Sequence, residues 1–314
     1  MRILIWQTAY LGDVVLTTPL ILTVQRVFPE SKIGFVGRSF IRELLKGYPI
    51  ELITFDKSIR ESFSIVKRIE GYDAVVSPHI SARSALMLFL SKIPIRIGFD
   101  RSELPWLYTH RVKHVWSKHE VDRNLDLLTP LGVRDRIKQT KLFVEEEEKQ
   151  AVKRLFSLPE DYVVLSPFSN FPLKEWSLRR WKELTELLTL PAVVVGTANQ
   201  QEKAKALERK GVINLVGRTS LRELMAIISL SKAVVSCDSA AVHIANALGV
   251  PAISVYTSTS PSYGFYPLLG GYLAPQLSCS PCSPNPKECK RGDYVCLSAV
   301  KAEDVFGKLL ELLP

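Results

Sequence analysis

Residues 233–256 read AVVSCDSAAVHIANALGVPAISVY, a stretch that contains one strand–helix–strand pattern. Two short apolar runs, residues 233–236 and 252–256, flank a helix-period run at residues 240–248. We therefore predict two buried strands joined by a helix that ends at Gly249. A unit of this kind implies an α/β fold with a parallel sheet.

Polar residues cluster at one end of this unit. Asp238 and Ser239 stand where the first strand meets the helix, where such side chains cap free backbone N–H groups and where anions bind. An N-cap role alone explains the pair. Two further features favour a ligand site in addition to a cap. They are His243, close to the same helix end, and residues 257–261 (TSTSP), after the second strand. Ligands bind at the carboxyl ends of parallel strands, where both features lie. The turn is a candidate site for a phosphorylated ligand.

The rest of the chain repeats the alternation of strands and helices. Residues 2–6 read as a central strand and residues 13–28 as a helix that Pro19 kinks or interrupts. At 314 residues the chain is long enough for two domains, so we expect α/β domains at residues 1–157 and 158–314 with a ligand cleft between them.

Two further residues are candidates for chemistry. Gly12 permits a tight turn after the first strand, and Asp13 then stands at the helix start, either as an N-cap or as a general base. Lys174 follows the first strand of the second domain. It is either an ordinary surface lysine or a cation that binds phosphate together with the turn at Asp238.

The composition is that of a basic globular protein, with 46% hydrophobic residues, net charge +9 and pI about 9.3. This charge favours acidic partners. No apolar run approaches the roughly 20 residues that span a bilayer, and the first segment reads as a strand, so we expect an intracellular protein able to lie on a membrane. The basic residues between 99 and 135, with Arg60 and Arg83, are either a solvated face or contacts to an anionic acceptor.

Five cysteines are present, and four of them, Cys279, Cys282, Cys289 and Cys296, lie in one loop rich in Pro, Lys and Ser. Four thiolates suit tetrahedral zinc, although the spacing is looser than in paired C-x2-C motifs. Disulfides or free thiols are the alternatives. We expect a structural role for this loop in each case.

Other functional classes fit less well. No helix-turn-helix, RNA-recognition motif or strict zinc-finger spacing is present, which argues against a nucleic-acid partner. The G-x-G-x-x-G turn of dinucleotide dehydrogenases is missing after the first strand. A non-catalytic protein that binds sugar nucleotides is an alternative that these patterns leave open. Asp13 is the residue that discriminates between this alternative and an enzyme, because a protein that only binds needs no general base.

Three patches of the chain resemble glycosyltransferase family 9, which contains the ADP-heptose:lipopolysaccharide heptosyltransferases. The order and spacing agree across nearly the whole chain. The matching residues are Gly12-Asp13 with Thr17-Thr18-Pro19, Lys174-x-Trp176, and Asp238-Ser239-Ala-Ala-Val-His243 continuing to Pro251.

This resemblance implies a GT-B architecture of two Rossmann-like domains and an inverting, metal-independent transfer without a cofactor. The donor would be ADP-L-glycero-D-manno-heptose and the acceptor Kdo-lipid A or heptosyl-Kdo-lipid A, at the cytoplasmic face of the inner membrane. The N-terminal domain would receive the acceptor and the C-terminal domain the nucleotide sugar. A family member that uses another sugar or acceptor is the alternative, and first and second heptose transfer are not distinguished.

The predicted site has three parts. Asp13 and Lys174 are the predicted catalytic residues. The nucleotide-sugar site comprises Lys174, Asp238, Ser239, Ala240, Ala241, Val242 and His243. The predicted acceptor contacts are Thr8, Gly12, Arg60, Arg83 and Arg123. Ala240 stands where the family usually has Gly, so its methyl group would crowd the phosphate.

Overall fold

The computed structural model describes residues 1–56 and 58–313, without the side chains of Ile59 and Arg60. It divides into two compact units, Met1–Phe143 and Val144–Pro314. Within the described residues, each unit contains one sheet of six parallel strands. The predicted fold class, α/β with a parallel sheet in each half, is confirmed.

The sheet of the first unit has the strand order β3-β2-β1-β4-β5-β6. Its strands are β1 (Arg2–Trp6), β2 (Lys32–Gly37), β3 (Glu51–Thr54), β4 (Ala74–Ser77), β5 (Ile95–Phe99) and β6 (His110–Val112). In register, Ile3 of β1 pairs with Ile33 on one side and Ala74 on the other. After its first residue β1 is completely buried, as its unbroken apolar run predicts.

Among the described residues of the first unit, six α-helices accompany this sheet. They are α1 (Leu11–Val15), α2 (Thr18–Val27), α3 (Ile41–Leu44), α4 (Ile59–Arg68), α5 (Ala82–Leu90) and α6 (Glu120–Asp126). The helix predicted over residues 13–28 is interrupted before Pro19, which occupies the first turn of α2, where its missing N–H costs nothing. The predicted break is confirmed. It leaves α1 as a short, separate turn after β1.

The sheet of the second unit has the order β12-β11-β10-β7-β8-β9. Its strands are β7 (Val163–Ser166), β8 (Ala192–Val194), β9 (Val212–Asn214), β10 (Ala233–Cys237), β11 (Ala252–Val255) and β12 (Gly270–Leu273). Numbered within each unit, the two sheets share one order. The strand–helix–strand unit at residues 233–256 is confirmed, and β10 lies at the centre between β7 and β11.

The helices of the second unit are α7 (Glu146–Leu155), α8 (Leu178–Leu187), α9 (Gln201–Ala204), α10 (Leu221–Leu230), α11 (Ala240–Ala247), α12 (Cys296–Ala299) and α13 (Ala302–Leu310). Helix α7 packs on α10. Arg222 Nε donates to Glu148 Oε1 at 2.9 Å between them. The division at Phe143 therefore falls before the expected boundary at residue 157, because α7 belongs to the second unit.

No helix among residues 1–56 and 58–313 is long and apolar enough to cross a membrane.

Candidate functional site

The centre of the candidate site in the second unit is an ion pair between Lys174 and Asp238. Lys174 closes a 3-10 turn after β7, and Asp238 directly follows β10, the neighbouring strand. The Lys174 Nζ lies 2.9 Å from Asp238 Oδ2, and the two side chains are only 15% and 14% exposed. Lys174 is therefore no ordinary surface lysine. Two residues 64 positions apart meet because parallel strands bring their carboxyl ends to one edge.

The segment after β11 completes this edge. Thr259 Oγ1 donates to Asp238 Oδ2 at 2.9 Å, the same oxygen that Lys174 contacts. Thr257 Oγ1 donates to the Leu173 carbonyl at 2.7 Å, and Ser258 Oγ bonds the same carbonyl. These bonds join the loop after β11 to the turn that carries Lys174. The convergence predicted for residues 257–261 and the turn at Asp238 is observed.

Helix α11 points its N-terminus at the same edge. Ser239 is the N-cap, and its Oγ accepts from the Ala241 N–H at 3.3 Å. The predicted N-cap is thus present. Unpaired N–H groups and the helix dipole make this end favourable for a phosphate. Ala240 is the first helical residue and is partly exposed.

The remaining predicted nucleotide-sugar residues follow Ala240 in the first turn of α11. Ala241 is 7% exposed, Val242 1% and His243 6%. The ring of His243 stands 6.5 Å from the ring of Phe265. These three side chains therefore belong to the packing beneath the start of α11.

The candidate site in the first unit lies after β1. Asp13 is the third residue of α1, is partly exposed, and its Oδ2 accepts from the Tyr10 N–H at 3.2 Å. Thr17 Oγ1 donates to the Asp13 carbonyl at 2.7 Å. Gly12 is buried beside it. The carboxylate thus stabilises the helix start and remains open to solvent, which a general base requires.

A hydroxyl and imidazole network beside this loop was not anticipated. His79, which follows β4, has Nδ1 3.2 Å from Thr8 Oγ1 and 2.7 Å from Ser84 Oγ. Trp6 Nε1 donates to the same Ser84 hydroxyl at 2.8 Å. Thr8 is 1% exposed, so it supports the site rather than offering a contact. The signal available in the sequence was a histidine directly after a buried strand.

The three predicted arginine contacts have different surroundings. Arg83 is exposed on the first turn of α5. Arg60 belongs to α4, but its side chain lies outside the described residues. Arg123 is 1% exposed, and its guanidinium binds Glu120 Oε2 at 2.7 Å through Nε and 2.6 Å through Nη2. This burial argues against direct contact of Arg123 with an acceptor. It acts instead inside the fold of the first unit.

The cysteine loop packs beside the segment after β11. The Cys282 N–H donates to the Ser258 carbonyl at 2.8 Å. All five cysteines are free thiols, and within the described ranges no three His, Cys, Asp or Glu residues are grouped closely enough to hold a metal. Of the three alternatives for this loop, the structure displays free thiols.

Comparisons with known proteins match most of the chain. The sequence model of glycosyltransferase family 9 (heptosyltransferase) matches residues 63–294, more than half of the chain. Lipopolysaccharide heptosyltransferase 3 of Escherichia coli K12 is 27% identical over 340 residues, covering 97% of this chain and 96% of that protein. Lipopolysaccharide heptosyltransferase 1 of the same strain is 26% identical, covering 89% and 93%.

A solved structure agrees in fold over nearly the full length. The E. coli ADP-heptose lps heptosyltransferase II aligns with a TM-score of 0.81 and 25% identity, covering 99% of this chain and 98% of that one. This match confirms the expected GT-B class, with two Rossmann-like units in one chain.

Proposed function

The chain belongs to glycosyltransferase family 9, the heptosyltransferases, and on that basis we propose the reaction that it catalyses. It transfers heptose from ADP-L-glycero-D-manno-heptose to the inner core of lipopolysaccharide, with Kdo-lipid A or heptosyl-Kdo-lipid A as the acceptor. The relatives of similar length are named for lipopolysaccharide and, in one structure, for ADP-heptose. The Lys174–Asp238 pair beside the N-terminus of α11 is the observation that carries the proposal.

The second unit binds the nucleotide sugar in this proposal. Departure of ADP places negative charge on the β-phosphate, and preorganised cations and N–H groups stabilise such charge. Lys174 has three N–H donors, of which Asp238 needs one. The first turn of α11, after Ser239, adds its N–H groups and the positive end of its dipole. The diphosphate would therefore lie against Lys174 and the start of α11.

The first unit supplies the base. The acceptor hydroxyl oxygen attacks the anomeric carbon, the bond from that carbon to the phosphate oxygen breaks, and Asp13 takes the hydroxyl proton. Attack opposite to the departing ADP inverts the anomeric configuration. Asp13 suits this role because its carboxylate is partly exposed at the start of α1. Arg83, exposed on α5, would contact the anionic acceptor.

This enzyme would work at the inner face of the cytoplasmic membrane, where a lipid-linked acceptor is presented. Its basic charge favours both the phosphates and carboxylates of such an acceptor and an anionic lipid surface.

The proposal is tested first by calorimetric titration with ADP, UDP, GDP and NAD, with and without magnesium. We expect selective, magnesium-independent binding of ADP. Mass spectrometry of Kdo-lipid A and heptosyl-Kdo-lipid A incubated with ADP-heptose then identifies the acceptor by a gain of one heptose. Preference for UDP or GDP would indicate a different nucleotide sugar as the donor. The variant Ala240→Gly, at a partly exposed position, would then be tested next. Binding of ADP without transfer to either acceptor would favour a non-catalytic binder or another acceptor.

A further inference from the structure

The outer side of three neighbouring elements in the first unit is apolar. Helix α5 contacts both α4 and the 3-10 turn Pro105–Leu107. Phe63 is 77% exposed on α4, Trp106 is 68% exposed on the turn, and Phe89 is 47% exposed on α5. We define the apolar face by its exposed large side chains, which are Phe63, Leu86, Phe89, Leu90 and Trp106. Apolar groups of this size gathered on one side of a protein mark an interaction surface.

The core of the unit does not use these side chains. Ala85 and Leu88, on the inner side of α5, pack in one buried cluster with Ile65 of α4. Leu86, Phe89 and Leu90 project from the other side of α5, where they are 42%, 47% and 47% exposed. A helix that is apolar on both sides is expected where both sides are covered. The core of the unit covers the inner side of α5, so a binding partner is expected to cover the outer side.

The unit that carries the apolar face has an excess of basic residues. The sequence of the first unit, residues 1–143, has 22 Lys and Arg against 14 Asp and Glu, whereas residues 144–314 have 19 against 18. Lys67 is exposed one helical turn after Phe63, and Arg83 is exposed one turn before Leu86. The Arg96 guanidinium lies 5.7 Å from the centre of the Phe89 ring. The basic excess of the chain thus belongs to the unit that carries the apolar face.

We propose that the apolar face docks on an anionic lipid bilayer. Phe and Trp side chains enter the boundary between headgroups and acyl chains, and neighbouring Lys and Arg bind lipid phosphates. A second copy of this chain would bring two strongly basic units together, whereas an anionic surface attracts them. The inference rests on the proposed function in one respect, which is that a lipid-linked acceptor would lie in the same lipid bilayer. It specifies the face by which the enzyme reaches that acceptor.

Vesicle flotation of the full chain tests this face without any acceptor present. One set of vesicles contains phosphatidylcholine with 30% phosphatidylglycerol, and the other contains phosphatidylcholine alone. We expect the unaltered chain to bind the anionic vesicles at least about tenfold more strongly. The double variant Phe89→Ser/Trp106→Ser should lose about tenfold or more of that binding, because two anchors are removed. The matched control Leu155→Ser/Leu310→Ser alters side chains that are 63% and 49% exposed in the second unit and should bind normally.

A second measurement tests the proposal even if the double variant does not fold. Brominated lipids in the anionic vesicles should quench more tryptophan fluorescence in the unaltered chain than in Trp106→Phe, because Trp106 enters the bilayer. No binding to anionic vesicles, equal loss in the control variant, or equal quenching with and without Trp106 would each overturn the proposal. So would analytical ultracentrifugation that finds a dimer which Phe89→Ser/Trp106→Ser dissociates. Because these vesicles hold no acceptor, failure to bind contradicts the docking face alone, whereas failure to transfer heptose contradicts the proposed function alone.

Discussion

The Lys174 ammonium lies 2.9 Å from the Asp238 carboxylate, and this pair joins the loop after β7 to the turn after β10. Thr259 holds the same carboxylate, so the ammonium has a fixed position before any ligand arrives. Asp238 also partly neutralises that ammonium. A diphosphate must therefore share Lys174 with Asp238, which favours a ligand of higher charge density over a single carboxylate.

Lys174→Met should weaken both ADP binding and transfer. We expect ADP affinity to fall by about tenfold or more and kcat/KM by about 10² to 10³, because the cation matters most when charge develops on the leaving diphosphate. Calorimetry and steady-state kinetics measure the two effects. Lys203→Met is the matched control, since Lys203 is 51% exposed and pairs with Glu175. Equal kinetics in the two variants would return Lys174 to a structural role.

Asp13→Asn should reduce turnover by about two to four powers of ten and leave ADP affinity nearly unchanged. Asparagine can still accept from the Tyr10 N–H, so the start of α1 is preserved while the base is lost. The comparison variant is Asp135→Asn, whose native carboxylate is 76% exposed and pairs with Arg26. If Asp13→Asn lost as much ADP affinity as activity, the base assignment would fail.

The strand–helix–strand unit around Asp238 was predictable because the helical period of its apolar residues ends where Gly249 stops the helix. The short strand β12 was not, because Gly270 and Gly271 at its start are typical of a turn. Gly270 has φ +117°, and a Cβ there would lie 2.1 Å from the Ala252 carbonyl oxygen. Close approach to β11 therefore requires glycine inside a strand, and a local pattern does not reveal that neighbour.

The candidate site was predictable to a similar extent. Lys174 and Asp238 could be expected at one edge because each follows a strand, but only the structure gives their contact. Arg123 was placed at the surface because it lies in a basic stretch. Its partner Glu120 is three residues away, and this ion pair allows the guanidinium to be buried.

Arg123→Met should therefore destabilise the fold rather than weaken the binding of a ligand. Removing one partner of a buried pair costs about 3 to 5 kcal/mol, because Glu120 is left buried without its cation. Burial already raises the pKa of Glu120, although Arg123 opposes this effect. Urea unfolding should show a smaller loss for Arg123→Met/Glu120→Gln than for Arg123→Met alone. A normally stable Arg123→Met with a raised acceptor KM would instead restore the predicted acceptor contact.

The cysteines should differ in reactivity in the folded protein. Hydrogen bonds from the backbone N–H groups of Tyr294, Arg291 and Gly292 lower the pKa of Cys289, whereas burial raises the pKa of Cys237. Since the thiolate is the nucleophile, iodoacetamide near neutral pH should label Cys289 about threefold or more faster than the exposed Cys282, whose pKa is raised. Cys237 should react only after denaturation. Peptide mass spectrometry gives the order, and protection of all four loop cysteines would contradict free thiols.

Acid should weaken the first unit through Asp126. Its side chain is 16% exposed, and Arg136 Nη1 and Lys118 Nζ bind its two oxygens. Burial acts to raise the pKa of Asp126, but the hydrogen bonds from Lys118 and Arg136 lower it below the ordinary 3.8. The unfolded chain therefore takes up the proton first, so this stabilisation is present above about pH 4 and is lost as the pH falls through the lowered pKa.

Asp126→Asn should accordingly be less stable than the unaltered chain at pH 6, with a difference that shrinks towards pH 3. Urea unfolding at several pH values measures the free energy of unfolding of both. Asp122→Asn, on the same helix α6, is the control, because its native carboxylate is 34% exposed and its partner Lys138 is 69% exposed. A difference between Asp126→Asn and the unaltered chain that stays constant from pH 6 to pH 3 would show that the paired charge of Asp126 does not stabilise the fold.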